Sequence, residues 1–209
     1  MTWHVRRTGG MAAPVICLLT VSLTGCLSYR TGSTPDVELG RQDFAAAAKP
    51  TACVIIDVQS QGFNESRPGK NVEAAQEARS VVAGVFSAVE PFKAYTFNES
   101  RAKEMTVRFV LHLQVKEECS LANMLLSCGT IAVIPVTGTT TYHLTAQLFD
   151  GGGVKLGEYE AADSMRIWMQ VLLFPIGTWK APAKTEKELL ENLVRIVLAR
   201  IRSDGLLYR

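Results

Sequence analysis

The spacing of apolar residues changes several times along this chain of 209 residues, and each change marks an element. Residues 52–58 (ACVIIDV) form a short β-branched run, the mark of a buried strand. A polar stretch over 61–70 with Pro68-Gly69 reads as a loop. From 71 to 90, Val72, Ala75, Val82, Val85, Phe86 and Val89 fall on one helical face, and Pro91 ends that helix. Residues 92–97 give a second short strand. Over 105–116 the alternation is clean: Val107, Phe109, Leu111, Leu113 and Val115 face one way, Arg108, His112, Gln114 and Lys116 the other. Residues 139–150 and 154–162 predict a hairpin turned by Gly151-Gly152-Gly153. A last helix spans 185–203, with Leu189, Leu190, Leu193, Ile196, Val197 and Ile201 inward. This order predicts an α+β domain: a mixed or mainly antiparallel sheet with two helices packed on one face.

Two apolar stretches fit this scheme less directly, MLLSCGTIAVIPV at 124–136 and IWMQVLLFPIGTW at 167–179. Each has 13 residues, too few to span a bilayer as a helix, which takes about 20. Three readings stay open: buried core strands, a hydrophobic surface for a protein partner, or an edge that touches membrane. In the last two, Trp168, Phe174 and Trp179 are the interface anchors, because aromatic rings suit boundaries with one wet side.

The first 26 residues have a separate logic. A short cationic start with Arg6-Arg7 precedes an apolar run over 11–23, the pattern of an export signal. Leu23-Thr24-Gly25-Cys26 then resembles the lipobox of bacterial lipoproteins: a branched apolar residue, two small ones and a cysteine. The resemblance implies that residues 1–25 are a signal peptide, removed on export. It implies that Cys26 receives diacylglycerol on its thiol and an acyl group on its new amine. Buried methylenes contribute about 0.8 kcal/mol each, so one chain holds weakly and two or more anchor durably. In lipoproteins an Asp after the lipidated Cys favours the inner membrane. Here Leu27-Ser28 follows, which implies the outer membrane; these residues do not distinguish its two faces, of which the periplasmic one is expected.

After Cys26 the chain is rich in Ser, Thr, Gly and Pro and shows no sustained period as far as Pro50. Residues 26–50 are therefore expected to be a lipidated Cys on a flexible tether with a reach of roughly 25–30 Å, and residues 51–209 a single α+β domain.

Charge bears on partners. The whole chain carries +2 from 22 basic and 20 acidic residues, but Arg6 and Arg7 lie in the signal, so the mature chain has 20 of each. The apparent basicity leaves with the signal, and nucleic acid is not an expected partner. Of the five cysteines, Cys17 is in the signal and Cys26 is the lipidation site, which leaves Cys53, Cys119 and Cys128. Cys53 reads as a buried thiol in a strand. Cys119 and Cys128 bracket a short loop, and in an oxidising compartment they are the expected disulfide, at about 2–3 kcal/mol by loop entropy.

Catalytic chemistry is poorly represented. No hydrolase elbow, zinc-protease helix, Walker loop or EF-hand loop occurs. The glycines at 151–153 have the wrong spacing for a phosphate cradle. His112 and His143 sit on separate strands and CxxC is absent, so no metal site and no cofactor are expected. Phe63-Asn64-Glu65-Ser66-Arg67 recurs at 97–101, a single match with different flanks that establishes no repeat architecture. The expectation is a non-enzymatic outer-membrane lipoprotein. It would bind or scaffold an envelope protein, attached to the membrane through the acyl chains on Cys26. Two alternatives are an envelope hydrolase or thiol enzyme using His112 or Cys119, and a structural or surface-exposed lipoprotein without a dedicated partner.

Overall fold

The computed structural model describes residues 25–45, 48–61, 70–130, 134–170 and 182–208. Strand β1 (Gly25–Arg30) is followed by β2 (Thr51–Gln61), helix α1 (Lys70–Val89), the short β3 (Ala94–Thr96) and β4 (Val107–Cys119). Helix α2 (Leu121–Gly129), β5 (Val136–Asp150), β6 (Lys155–Gln170) and α3 (Pro182–Ser203) complete the chain. The six strands form one sheet in the order β1-β6-β5-β4-β2-β3. Strand β2 is parallel to β3 and β4, and the remaining pairings are antiparallel, so the sheet is mixed. The α+β class and the two helices on one face stand as the sequence predicts.

One face carries the core. Ala52, Val54, Ile56 and Val58 of β2 are buried, as are Val107, Phe109, Leu111 and Leu113 of β4, and Tyr142, Leu144, Ala146 and Leu148 of β5. Against them α1 buries Ala78, Val81, Val82, Val85, Phe86 and Val89, a three- and four-residue spacing that keeps them on one stripe. Helix α3 buries Leu189, Leu190, Leu193, Val194, Ile196, Val197 and Ile201 in the same way. Phe86 meets Phe92 edge-on with ring centres 5.2 Å apart, which fastens the end of α1 to the chain leading into β3. Glu90, at φ 52°, leaves α1 through the left-handed region, and Pro91 prevents its continuation. The β5–β6 turn depends on Gly153 at φ 85° and on the Asp150 carboxylate, which accepts from the backbone N–H groups of Gly152 and Val154.

The flexible tether expected over 26–50 is not what the structure shows. Residues 25–30 are the edge strand β1, paired residue by residue with β6 from Gly25–Gln170 to Arg30–Met165. The following segment crosses α3. Asn192, buried in that helix, accepts from the Val37 N–H at 2.8 Å and donates to the Pro35 carbonyl at 3.1 Å. Phe44 then enters the core at 0% exposure. The polar composition of 26–50 thus reflects a strap held by hydrogen bonds, and not a free chain.

Other differences are local. Strand β6 is 16 residues long, well beyond the expected end at 162, and takes in Ile167 and Trp168. The first part of the apolar stretch at 124–136 belongs to a helix, not to a core strand: Leu125 and Leu126 of α2 are 70% and 55% exposed. The thiol of Cys119 is free and exposed, so the expected bridge to Cys128 is not formed in this structure.

Candidate functional site

Among the described residues neither α1 nor α3 packs on the second face of the sheet, and the strand registers fix which side chains share it. Asp57, His112, Thr145 and Glu160 lie side by side across β2, β4, β5 and β6. Two residues further along, Gln59, Gln114, His143 and Ala162 form the next row. Beyond it come Lys116, Thr141 and Ser164, and on the other side Val110, Gln147 and Glu158. The face is polar because each strand alternates, with its apolar set spent on the core side.

Local contacts organise this face. The Nδ1 of His112 lies 3.4 Å from Oδ2 of Asp57, with both side chains roughly half exposed. Lys155 pairs with Glu158 and, as the main cause, holds its carboxyl below the usual carboxylate range; Gln147 also donates to Glu158 at 3.3 Å. Arg108 stacks its guanidinium 4.6 Å from the centre of the Phe149 ring. At that end the face is partly covered by the helical turn Glu99–Glu104, and Cys53 is buried beneath it with Sγ 3.7 Å from the Asn98 carbonyl oxygen. Burial, reinforced by Glu99 and opposed by Arg108, pushes the Cys53 thiol up, which disfavours the reactive thiolate.

Two open depressions mark the polar face and its rim. One, of about 530 Å3, runs along Gln114, His143, Thr145, Glu160 and Ala162. The other, of about 520 Å3, lies at the end of β4 among Glu117, Glu118, Cys119, Ser120, Thr137 and Thr139. Shallow, polar and spread over three long strands, they offer hydrogen-bond donors and acceptors to an extended surface.

His112 and Cys119, the pair behind the thiol-enzyme alternative, are not brought together. They are seven residues apart on one strand, about 23 Å at the strand rise, and odd spacing puts them on opposite faces. The acid beside His112 is Asp57, which a period-2 reading of residues 52–58 places on the polar side. His143 is the diagonal neighbour of His112, about 7–8 Å away by sheet geometry. Among the described residues no group of three His, Cys, Asp or Glu side chains is placed to hold a metal ion.

Of the expected interface anchors, Trp168 is half-buried on β6, its backbone between Leu27 and Thr137, and its indole N–H has no hydrogen-bond partner among the described residues. Phe174 and Trp179 lie outside the described residues. Cys26 is the second residue of β1, paired with Met169, and the side chains of Cys26 and Cys128 lie outside the described set.

No protein-family model matches the chain, and no curated protein matches it in sequence. Solved structures align at low identity. A neuraminyllactose-binding hemagglutinin homolog from Helicobacter pylori shares 7% identity over 82% of this chain and 89% of its own, with a TM-score of 0.42. A minor lipoprotein from Acinetobacter baumannii shares 11% over 72% of this chain and 92% of its own, at 0.36. The PelC dodecamer from Paraburkholderia phytofirmans shares 11% over 85% and 97%, at 0.33. At such identities and scores the likeness assigns no role.

Proposed function

We propose that this protein is an outer-membrane lipoprotein, anchored by acyl chains on Cys26, that serves as a non-enzymatic binding or scaffolding module of the bacterial envelope. The anchoring half rests on Leu23-Thr24-Gly25-Cys26 behind an export-signal pattern. The binding half rests on one observation: the uncovered polar face of β4, β5 and β6, whose side chains form a depression of about 530 Å3. A sheet normally covers both faces or keeps one as a solvated surface, and a long solvated face held on rigid strands suits recognition of an extended partner. The partner in this reading is another envelope protein on the periplasmic side.

The test is chemical crosslinking of the acylated protein in its own membranes. Thr145→Arg and Gln114→Arg should remove a specific crosslinked envelope protein while membrane fractionation and circular dichroism stay unchanged. A crosslinking profile identical to wild type would contradict the assignment of this face.

A further inference from the structure

The strand registers bring several features to one end of the sheet. Cys26 of β1 is opposite Met169 of β6, and Met169 is opposite Val136 of β5. Cys119 closes β4 opposite Gly138, and α2 begins two residues later. Three strand spacings separate β1 from β4, about 14 Å. Strand β2 runs parallel to β4, so the start of α1 is at this end as well.

Exposed apolar side chains concentrate here. Among the described residues seven large hydrophobic side chains are exposed, and five of them belong to this end: Val72 at 71%, Leu121 at 58%, Leu125 at 70%, Leu126 at 55% and Ile134 at 42%. The other two, Val154 and Leu156, sit at the β5–β6 turn at the opposite end. The sequence from Ser120 to Phe149 contains no Asp, Glu, Lys or Arg. An uncharged helix of nine residues with leucines at positions 121, 125 and 126 can enter an interface without desolvating a charge.

On the lipoprotein reading above, which this inference requires, the acyl chains leave the chain at β1 itself, with no tether between lipid and sheet. We propose that this end of the sheet rests on the bilayer, with Leu121, Leu125 and Leu126 of α2 in the headgroup–acyl boundary and the β5–β6 turn pointing away. The acyl chains supply affinity and α2 supplies orientation: three partly exposed leucines bind weakly alone but are held at the interface by an anchor about 14 Å away. The polar face then stands upright from the membrane, open sideways to a partner. Because α2 has no charged residue and the neighbouring Glu118 is paired with Lys116, α2 adds no electrostatic preference of its own for anionic lipid.

The full acylated protein is reconstituted into vesicles of phosphatidylethanolamine and phosphatidylglycerol that contain a diazirine-bearing phosphatidylcholine. After irradiation, lipid adducts are mapped by mass spectrometry. Adducts over 120–134 should exceed those over 150–157 at least tenfold, at any phosphatidylglycerol fraction. Leu121→Glu with Leu125→Glu should remove that excess while the acyl mass on Cys26 and the circular dichroism spectrum are retained. Acylated wild-type protein with equal adducts in both segments, or with none over 120–134, overturns the orientation and leaves the lipoprotein reading intact. An unmodified Cys26 overturns both.

Discussion

Arg30 on the edge strand donates from Nε to Oδ2 of Asp163 at 3.0 Å, and the Asp163 side chain is fully buried. The contact joins residues 133 apart and ties the first strand to the inward face of β6. Burial alone would lower the Arg30 pKa, but the hydrogen bonds to Asp163 and Asp36 more than reverse it and hold the guanidinium above its ordinary value. Arg30→Ala leaves a buried carboxylate unpaired, which costs about 3–5 kcal/mol when such a pair is broken. The expected outcome is a large drop in the urea midpoint with an unchanged slope; a shift worth less than about 1 kcal/mol would contradict the pairing.

Phe44 separates a docked strap from a tether. Its side chain is fully buried with the core, and a buried Phe→Ala change costs about 3–5 kcal/mol. Phe44→Ala should therefore lower thermal stability as a core substitution does. A free chain over 26–50 would give no change in calorimetry.

Two tyrosines give the stability an alkaline limit. Tyr159 donates to Asp204 at 2.8 Å, and burial followed by that bond pushes its pKa up to about 12 from an ordinary 10.0. Tyr142 donates to Glu186 at 2.9 Å and is pushed further in the same direction, with burial the main cause. A raised native pKa means that the unfolded chain ionises first. The contribution is complete below pH 10 and is lost as pH rises from 10 through about 12 for Tyr159. Chemical denaturation at a series of pH values should show stability falling in that window, and Tyr159→Phe should flatten the fall.

The cysteines separate by accessibility. Cys53 is buried with a raised pKa, whereas Cys119 is exposed. In the native protein N-ethylmaleimide should modify Cys119 within minutes and Cys53 only after denaturation. A Cys119 that reacts only after reduction would contradict the free thiol and restore the 119–128 bridge.

Much of the core was legible because it alternates. Val107, Phe109, Leu111 and Leu113 announce β4, and the stripe from Leu189 to Ile201 announces α3. A period-2 reading ends β6 at residue 162 because Asp163, a charge on the inward face, breaks the alternation; Arg30, far away in sequence, and the Ser164 backbone N–H make that position tolerable. The strap was hidden for a related reason. Its docking depends on Asn192 bonding to backbone groups and on the single aromatic Phe44, neither of which produces a period. Helix α2 was masked by the apolar residues that follow it, since a helix and a strand cannot be told apart in a short apolar run. Asp57 beside His112 follows from parity once β2 is assigned, but its contact depends on the parallel register with β4, which no local signal encodes.

A lipoprotein of this kind is held to the membrane at the first residues of β1. Intact-mass analysis of the protein extracted by detergent from outer membranes tests this directly. The expected result is a chain that begins at Cys26, with the added mass of a thioether-linked diacylglycerol and an amide-linked acyl group on that residue. A chain that begins elsewhere, or an unmodified Cys26, would contradict it.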